Sequence, residues 1–234
     1  MKAAVFGTGV VGQVIARRLA DLGHSVVVGT RSPDETLSRT AKDGYGNPPF
    51  KEWYEQQKSR INVGTYSEAA SVSEVIINCT NGQSSIAALE DAGSKNLDGK
   101  ILIDIANPLD FSKGMPPTLS PGNTDSLGEL IQRTFPEVKV VKTLNTMNCY
   151  LMVNPALLSE DHTVFISGND SGAKATVKNL LETFGWKSQN IIDLGDITSA
   201  RGTEQLLPIW LRLYGTLKNP TFNFKVVVGE VKTG

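Results

Sequence analysis

Gly7, Gly9 and Gly12 fall in the G-x-G-x-x-G spacing of "GTGVVG". That spacing suits the binding of a pyrophosphate by main-chain groups. Gly7 permits a tight turn, Gly9 lets backbone N–H groups approach the phosphates, and Gly12 allows a helix to pack close on a strand. A helix opening there adds partial positive charge from its dipole. The same glycines would serve a bare strand-to-helix turn, and context selects between the two readings. Here the turn lies between the apolar run "KAAVF" (2–6) and "VVGQVIARRLADLG" (10–23), where Val11, Ile15, Leu19 and Leu22 recur at helical spacing.

Thr30, Arg31 and Ser32 close the stretch "VVVGTRS" (26–32). In an NAD-binding fold an acidic residue usually ends this second strand and bonds the ribose hydroxyls. A carboxylate there would repel a 2′-phosphate. Arg31 instead can pair with that phosphate and lay its guanidinium plane against adenine, while the hydroxyls of Thr30 and Ser32 can bond its oxygens. Asp34 and Glu35 follow closely and would oppose this reading if they turned inward. The expectation is NADP(H) rather than NAD(H).

A hydride transfer between two ring systems asks for proximity and exclusion of water rather than a catalytic triad or a metal. No such set is spaced in the chain. His24 follows the first helix and His162 opens a strand, neither with a companion at ligand or relay spacing, so both are expected to be structural. Cys79 and Cys149 are far apart, without a C-x-x-C, and read as small buried hydrophobes. Asp104 and Asp110 bracket the end of the fifth strand, and Asp104 is expected to face packing or capping partners. Arg201 and Glu204 are expected to form an i,i+3 ion pair rather than to touch substrate. Tyr150 and Lys142 are candidate proton donors whose placement the sequence leaves open.

The elements that must hold these residues alternate. Strands are expected at 2–6, 25–29, 61–66, 74–79, 100–105 and 138–142, the second continuous rather than alternating, as in a parallel strand buried on both faces. Strands interleaved with helices imply right-handed crossovers and a parallel sheet. The predicted fold is α/β: a Rossmann-type, doubly wound, mainly parallel sheet with a small C-terminal α/β extension. Residues 1–145 are expected to form the NADP-binding domain, and 146–234 a smaller part with the substrate cleft, in one compact unit or two.

That later part reads as a strand at "HTVFISG" (162–168) and a helix at 170–185. Ala173, Val177, Leu180 and Phe184 face inward on that helix, and Gly185 stops it. A strand at "NIIDLG" (190–195), an apolar helix over 197–217 interrupted by Pro208, and a final strand at "FNFKVVVGEV" (222–231) follow. Two segments break the rhythm. Residues 43–60 carry Phe50, Trp53 and Tyr54 at helical offsets, either in a short helix over the site or a partner, or in a surface insertion anchored by its aromatics. Residues 107–126 form a long irregular loop, a length often associated with function, before a capping box of Ser126 with Glu129.

The 234 residues carry a formal charge of −1, which argues against a polyanion held on a basic face. "MKAAVFG" turns glycine-rich too soon for a signal peptide, and no apolar run nears the ~20 residues that span a bilayer. A cytoplasmic protein with a small-molecule partner, and without nucleic-acid or membrane partners, is expected. Leu206, Leu207, Ile209, Trp210, Leu211, Leu213 and Tyr214 give the last helix more apolar surface than one core face needs, so a homodimer contact is expected there.

The sequence resembles the F420-dependent NADP oxidoreductase family, which is related to the reductase domains of STEAP metalloreductases. The resemblance rests on "GTGVVG" with "VVVGTRS", then "ILIDIANPLD", "VVKTLNTM", "FISGND" and "DLGDITSARGTEQLLPIWLRLYG", in order over nearly the whole chain. It implies that Gly7, Thr8, Gly9, Val10 and Val11 hold the pyrophosphate. It further implies that Thr30, Arg31 and Ser32 hold the 2′-phosphate, and that Thr80, Asn81, Ala106, Asn107 and Asn145 line the nicotinamide half. Two departures fall where the second substrate is expected. Archaeal F420 reductases tend to carry Thr-Ile-Pro-Trp where this chain has Thr80-Asn81-Gly82-Gln83, and His-Thr where it has Asn145-Thr146.

Three functions fit these residues. The first is hydride transfer between NADPH and F420, a deazaflavin, or a flavin-like acceptor. The second is NADPH-dependent reduction of a small carbonyl, imine or ferric chelate. The third is a non-catalytic NADPH-binding sensor, since a fold does not determine a function.

Overall fold

A computed structural model describes residues 1–43 and 46–230. The first half alternates as expected. Strand β1 (Lys2–Phe6) leads to helix α1 (Val10–Asp21), then β2 (Ser25–Thr30), α2 (Pro33–Ser38), α3 (Phe50–Glu55), β3 (Ile61–Thr65), α4 (Tyr66–Ser71) and β4 (Val75–Asn78). Then come α5 (Ser85–Ala92), α6 (Ser94–Leu97), β5 (Ile101–Asp104), a short hairpin of β6 (Leu109–Asp110) and β7 (Thr118–Leu119), α7 (Leu127–Thr134) and β8 (Lys139–Thr143). The chain ends through α8 (Cys149–Val153), β9 (Val164–Ser167), α9 (Ser171–Phe184), β10 (Ile191–Asp193), α10 (Ala200–Gln205) and α11 (Leu207–Leu217).

Among the described residues the main sheet has eight strands in the order β10-β9-β8-β5-β4-β1-β2-β3. Neighbours run parallel except β8 with β9, which are antiparallel. The order reverses between β1 and β4, and at such a switch point the carboxyl ends of the strands open a ligand crevice. Apolar clusters cover both faces. Ile15 and Leu19 of α1, with Val177, Leu181 and Phe184 of α9, pack on one side. Leu89, Leu97, Leu127 and Ile131 pack on the other.

Several expectations change. Residues 222–230 form no strand: Phe224 accepts from the Thr163 N–H at 2.9 Å and Val226 donates to the Thr163 hydroxyl at 3.0 Å, too few bonds for a ladder; Val231 lies outside the described residues. Leu181, not Leu180, takes the buried position on α9. The interruption expected at Pro208 is present: α10 ends at Gln205 and α11 begins at Leu207, with Pro208 in its first turn where the missing N–H costs nothing. The irregular 107–126 loop contains the β6–β7 hairpin. In the 43–60 segment, Phe50 is buried while Trp53 and Tyr54 pack half-buried against the core; Gly44 and Tyr45 lie outside the described residues.

The capping box at α7 forms only in part. Ser126 accepts from the Glu129 N–H, but its own N–H goes to Asp125 at 2.9 Å rather than to Glu129. A reciprocal box occurs instead at α4, between Thr65 and Glu68. Among the described residues no helix is long and apolar enough to cross a membrane.

Candidate functional site: a dinucleotide cleft at the strand ends

The glycine turn is shaped by contacts that leave no room for side chains. Gly7 has φ +113°, and a Cβ on it would meet the Cys79 carbonyl oxygen at 2.7 Å. A Cβ on Gly12 would meet the Gly7 carbonyl at 2.1 Å, so α1 approaches β1 only because Gly12 has none. Gly9 faces open space, with nothing within 4 Å of its Cβ direction. It opens α1 without a side-chain cap, which leaves first-turn N–H groups directed at a ligand. Gln13 braces the turn by donating to the Thr8 carbonyl at 2.9 Å.

A cavity of ≈ 700 Å³ runs from this turn across the strand ends. Gly7, Thr8, Gly9, Val10 and Val11 line its middle, Thr30, Arg31 and Ser32 one end, and Thr80 and Asn81 the β4 side. The cradle fits a pyrophosphate, and the cationic end fits a 2′-phosphate. Ala106, Asn107 and Asn145 stand outside that lining. Asn107 Nδ2 donates to the Asn145 carbonyl at 2.8 Å and Asn145 Nδ2 to Asn107 Oδ1 at 3.0 Å, which joins the ends of β5 and β8.

At the cationic end the three residues have different roles. The Thr30 side chain is buried and bonded to the Thr36 hydroxyl at 2.8 Å. Ser32 caps α2 by accepting from the Glu35 N–H, which leaves its own proton available. Arg31 is largely exposed, with a loose contact of 4.0 Å to Asp91. Arg39, one residue past α2, also lines the cavity and was missed in the sequence, where it carries no periodic or spacing signal. Glu35 lines the same cavity, so a carboxylate does border the cationic end. The 43–60 segment borders the site: Asn47, Pro48, Pro49 and Phe50 face Thr8, Gly9 and Val10 across a cavity of ≈ 280 Å³.

Beneath Thr80 lies a fully buried polar chain. Lys142 Nζ contacts Asp104 and Glu204, each at 2.8 Å, and the Ala106 carbonyl at 2.5 Å. Burial alone would lower the Lys142 pKa, but the two carboxylates outweigh it and raise it. Its three donors are all engaged, so Lys142 is a structural cation and not a proton donor toward the cleft. Tyr150, the other candidate, is exposed and lines an adjoining cavity with Trp53 and Val14 that shares Val10 and Asn47 with the cleft. The expected Arg201–Glu204 pair does not form. Arg201 pairs with Glu129, and Glu204 accepts from the N–H groups of Leu127 and Gly128 at 2.9 and 3.1 Å. Glu204 thereby ties α10 to the start of α7.

His162 is structural: its ring lies between the Pro155 carbonyl, at 3.0 Å, and Asn223, at 2.7 Å. Burial raises the Cys79 thiol well above its usual pKa, with Asp104 adding to the effect. Cys149 is pushed up to about 11, also chiefly by burial. Cys149 is buried as expected, whereas Cys79 is only partly so and lines the cleft. Gly82, just past β4, packs against the next strand's loop, where a Cβ would meet the Asn107 carbonyl at 2.2 Å.

The family model for NADP oxidoreductases that are coenzyme F420-dependent matches residues 2–108. A crystal structure from Arthrobacter sp. FB24, of a protein provisionally assigned as an F420-dependent NADP reductase, is 57% identical. It superposes with a TM-score of 0.91, covering 97% of this chain and all of that one. The chain belongs to the F420-dependent NADP oxidoreductase family. Within that family's wider circle, rat metalloreductase STEAP3 is 31% identical over 216 residues, 89% of this chain. The F420-dependent NADP reductase of Methanothermobacter marburgensis is 33% identical over 115 residues, 49% of this chain. The matches span 38% of the rat protein and 48% of the archaeal one, less than half of either curated relative. Family membership accounts for the glycine turn and the sheet order.

Proposed function

We propose that this chain is an NADP-dependent oxidoreductase that transfers a hydride between NADPH and a deazaflavin or flavin-like acceptor. The observation that carries the reading is the single cleft joining the glycine turn, the Thr30–Ser32 end and Thr80–Asn81. When bound, the nicotinamide supplies the hydride. The chain's own residues bind and orient: the first-turn N–H groups of α1 hold the pyrophosphate, and Arg31 with Ser32 holds the 2′-phosphate. Thr30 acts through Thr36 to shape that end. The 47–50 wall shields the turn from one side. Lys142, locked in its buried ion pairs, does not serve as the proton donor a carbonyl or imine would need, whereas a ring acceptor asks for none.

The test is a single-turnover reaction of the purified protein with NADPH and oxidised F420, followed by bleaching of the deazaflavin absorbance. FMN and a ferric chelate run in parallel. Rapid bleaching is expected. Bleaching of FMN alone would reassign the acceptor, and the absence of reaction with all three would favour a binding protein.

The C-terminal segment supports a homodimer. Helix α11 buries only Leu207, while Ile209, Tyr214 and Leu217 are exposed. Trp210 stacks on both Tyr214 and Phe222, which stiffens that face. Light scattering across a dilution series should report a dimer, and a monomer at every concentration would end this reading. On the same proposal, residues 1–145 bind the dinucleotide, and 146–234 supply the dimer contact and one wall of the substrate cleft.

A further inference from the structure

We propose that Thr80 is a cofactor-binding residue that can act only as a hydrogen-bond acceptor toward the nicotinamide half of the dinucleotide. Asn78 and the buried Asp104–Lys142 pair set this polarity. The inference rests on the NADP reading above. Lys142 pairs with Asp104 Oδ2 at 2.8 Å, and both side chains are wholly buried. Asp104 therefore offers Asn78 only acceptor oxygens. Asn78 must turn its amide nitrogen to it, and Nδ2 lies 2.9 Å from Asp104 Oδ1 and 3.0 Å from the Ser85 hydroxyl. The flipped amide would set oxygen against carboxylate, inside a region where an unmade bond is costly.

With its nitrogen committed, Asn78 presents Oδ1 to Thr80. The Thr80 hydroxyl donates to that oxygen at 2.7 Å, and the Thr80 N–H approaches it at 3.3 Å. Ser85 lies 2.9 Å from Thr80 Oγ1 and 3.3 Å from the Asn81 carbonyl, so its single proton goes to one or the other, and it takes none from Thr80. A hydroxyl has one proton and two lone pairs. Thr80 has given its proton inward, so toward the cleft it lines it can only accept.

The sheet order says which half of the ligand meets that acceptor. Strand β4 lies on the side of β1 opposite to β2. A dinucleotide with its 2′-phosphate at the β2 end and its pyrophosphate over the β1–α1 turn carries its nicotinamide half past β4. An ionised phosphate has no proton to offer an acceptor. The matching groups are the nicotinamide ribose hydroxyls and the carboxamide N–H, which share one chemistry, a hydrogen-bond donor.

The experiment compares affinities by fluorescence titration of Thr80→Val, which keeps the shape and removes the acceptor. Thr80→Val should weaken NADP⁺ by about three- to tenfold, the size of one lost hydrogen bond. It should leave 2′,5′-ADP, which lacks the nicotinamide half, unchanged. Thr80→Ser should restore NADP⁺ binding. The 3-acetylpyridine analogue of NADP⁺, which has no amide N–H, separates the two donors. An equal loss with the analogue assigns the ribose hydroxyl, and no loss assigns the carboxamide.

Asn78→Ala, checked for native circular dichroism, should weaken NADP⁺ while sparing 2′,5′-ADP. Thr80→Val with unchanged NADP⁺ affinity, or with equal losses for NADP⁺ and 2′,5′-ADP, would overturn the proposal. So would a folded Asn78→Ala protein with wild-type affinity. If the wild-type protein binds neither ligand, it is the NADP reading that has failed.

Discussion

Arg31→Ala should weaken NADPH binding by about ten- to a hundred-fold while changing NADH affinity by no more than about twofold. The size follows from the loss of charge-assisted hydrogen bonds worth roughly 1.5–3 kcal/mol, at 1.4 kcal/mol for each factor of about ten. Arg31 is free to meet the ligand, because its ion-pair contact among the described residues is Asp91 at 4.0 Å, with both partners well exposed. Such a pair contributes little and is easily exchanged. Arg39 lines the same cavity and sets the loss toward the lower part of that range if it takes over part of the phosphate. Titration of intrinsic fluorescence with each cofactor is the measurement. Equal losses for NADPH and NADH would show that Arg31 does not read the 2′-phosphate.

Lys142→Ala should destabilise the fold far more than Arg31→Ala does. It strands two carboxylates, Asp104 and Glu204, that the ammonium now bridges at 2.8 Å each in a fully buried setting. Removing one partner of a buried ion pair costs roughly 3–5 kcal/mol. For a domain of this length that corresponds to a fall in melting temperature of about 6–20 °C. Lys142→Met, which restores the aliphatic volume but not the charge, should recover only part of the loss. Thermal melts followed by circular dichroism decide the matter. A Lys142→Ala protein melting within a degree or two of the wild type would mean that the network is not a stabilising centre.

What the sequence made legible was whatever repeats or sits next to its cause. The crossover rhythm, the glycine turn and the inward residues of α1 follow from local periodicity and backbone sterics. Gly185 ends α9 in the left-handed conformation expected of a helix-stopping glycine. The misread features depend on partners remote in the chain. Arg201 meets Glu129, 72 residues away, rather than its helical neighbour Glu204. Lys142 looked like a titratable candidate because nothing near it in sequence announces Asp104 and Glu204. Leu180 and Leu181 are adjacent, and a period of 3.6 residues does not choose between them until α9 docks on the sheet.

Gly82 carries a consequence for how this member can change. The loops that follow β4 and β5 touch where position 82 has no side chain, so they behave as a matched pair. Transplanting an archaeal-type Thr-Ile-Pro-Trp run onto residues 80–83 would drive a proline ring into the Asn107 carbonyl. Such a graft would need a compensating rewrite of 107–108. A side chain at 82 and the backbone at 107–108 can therefore change only together.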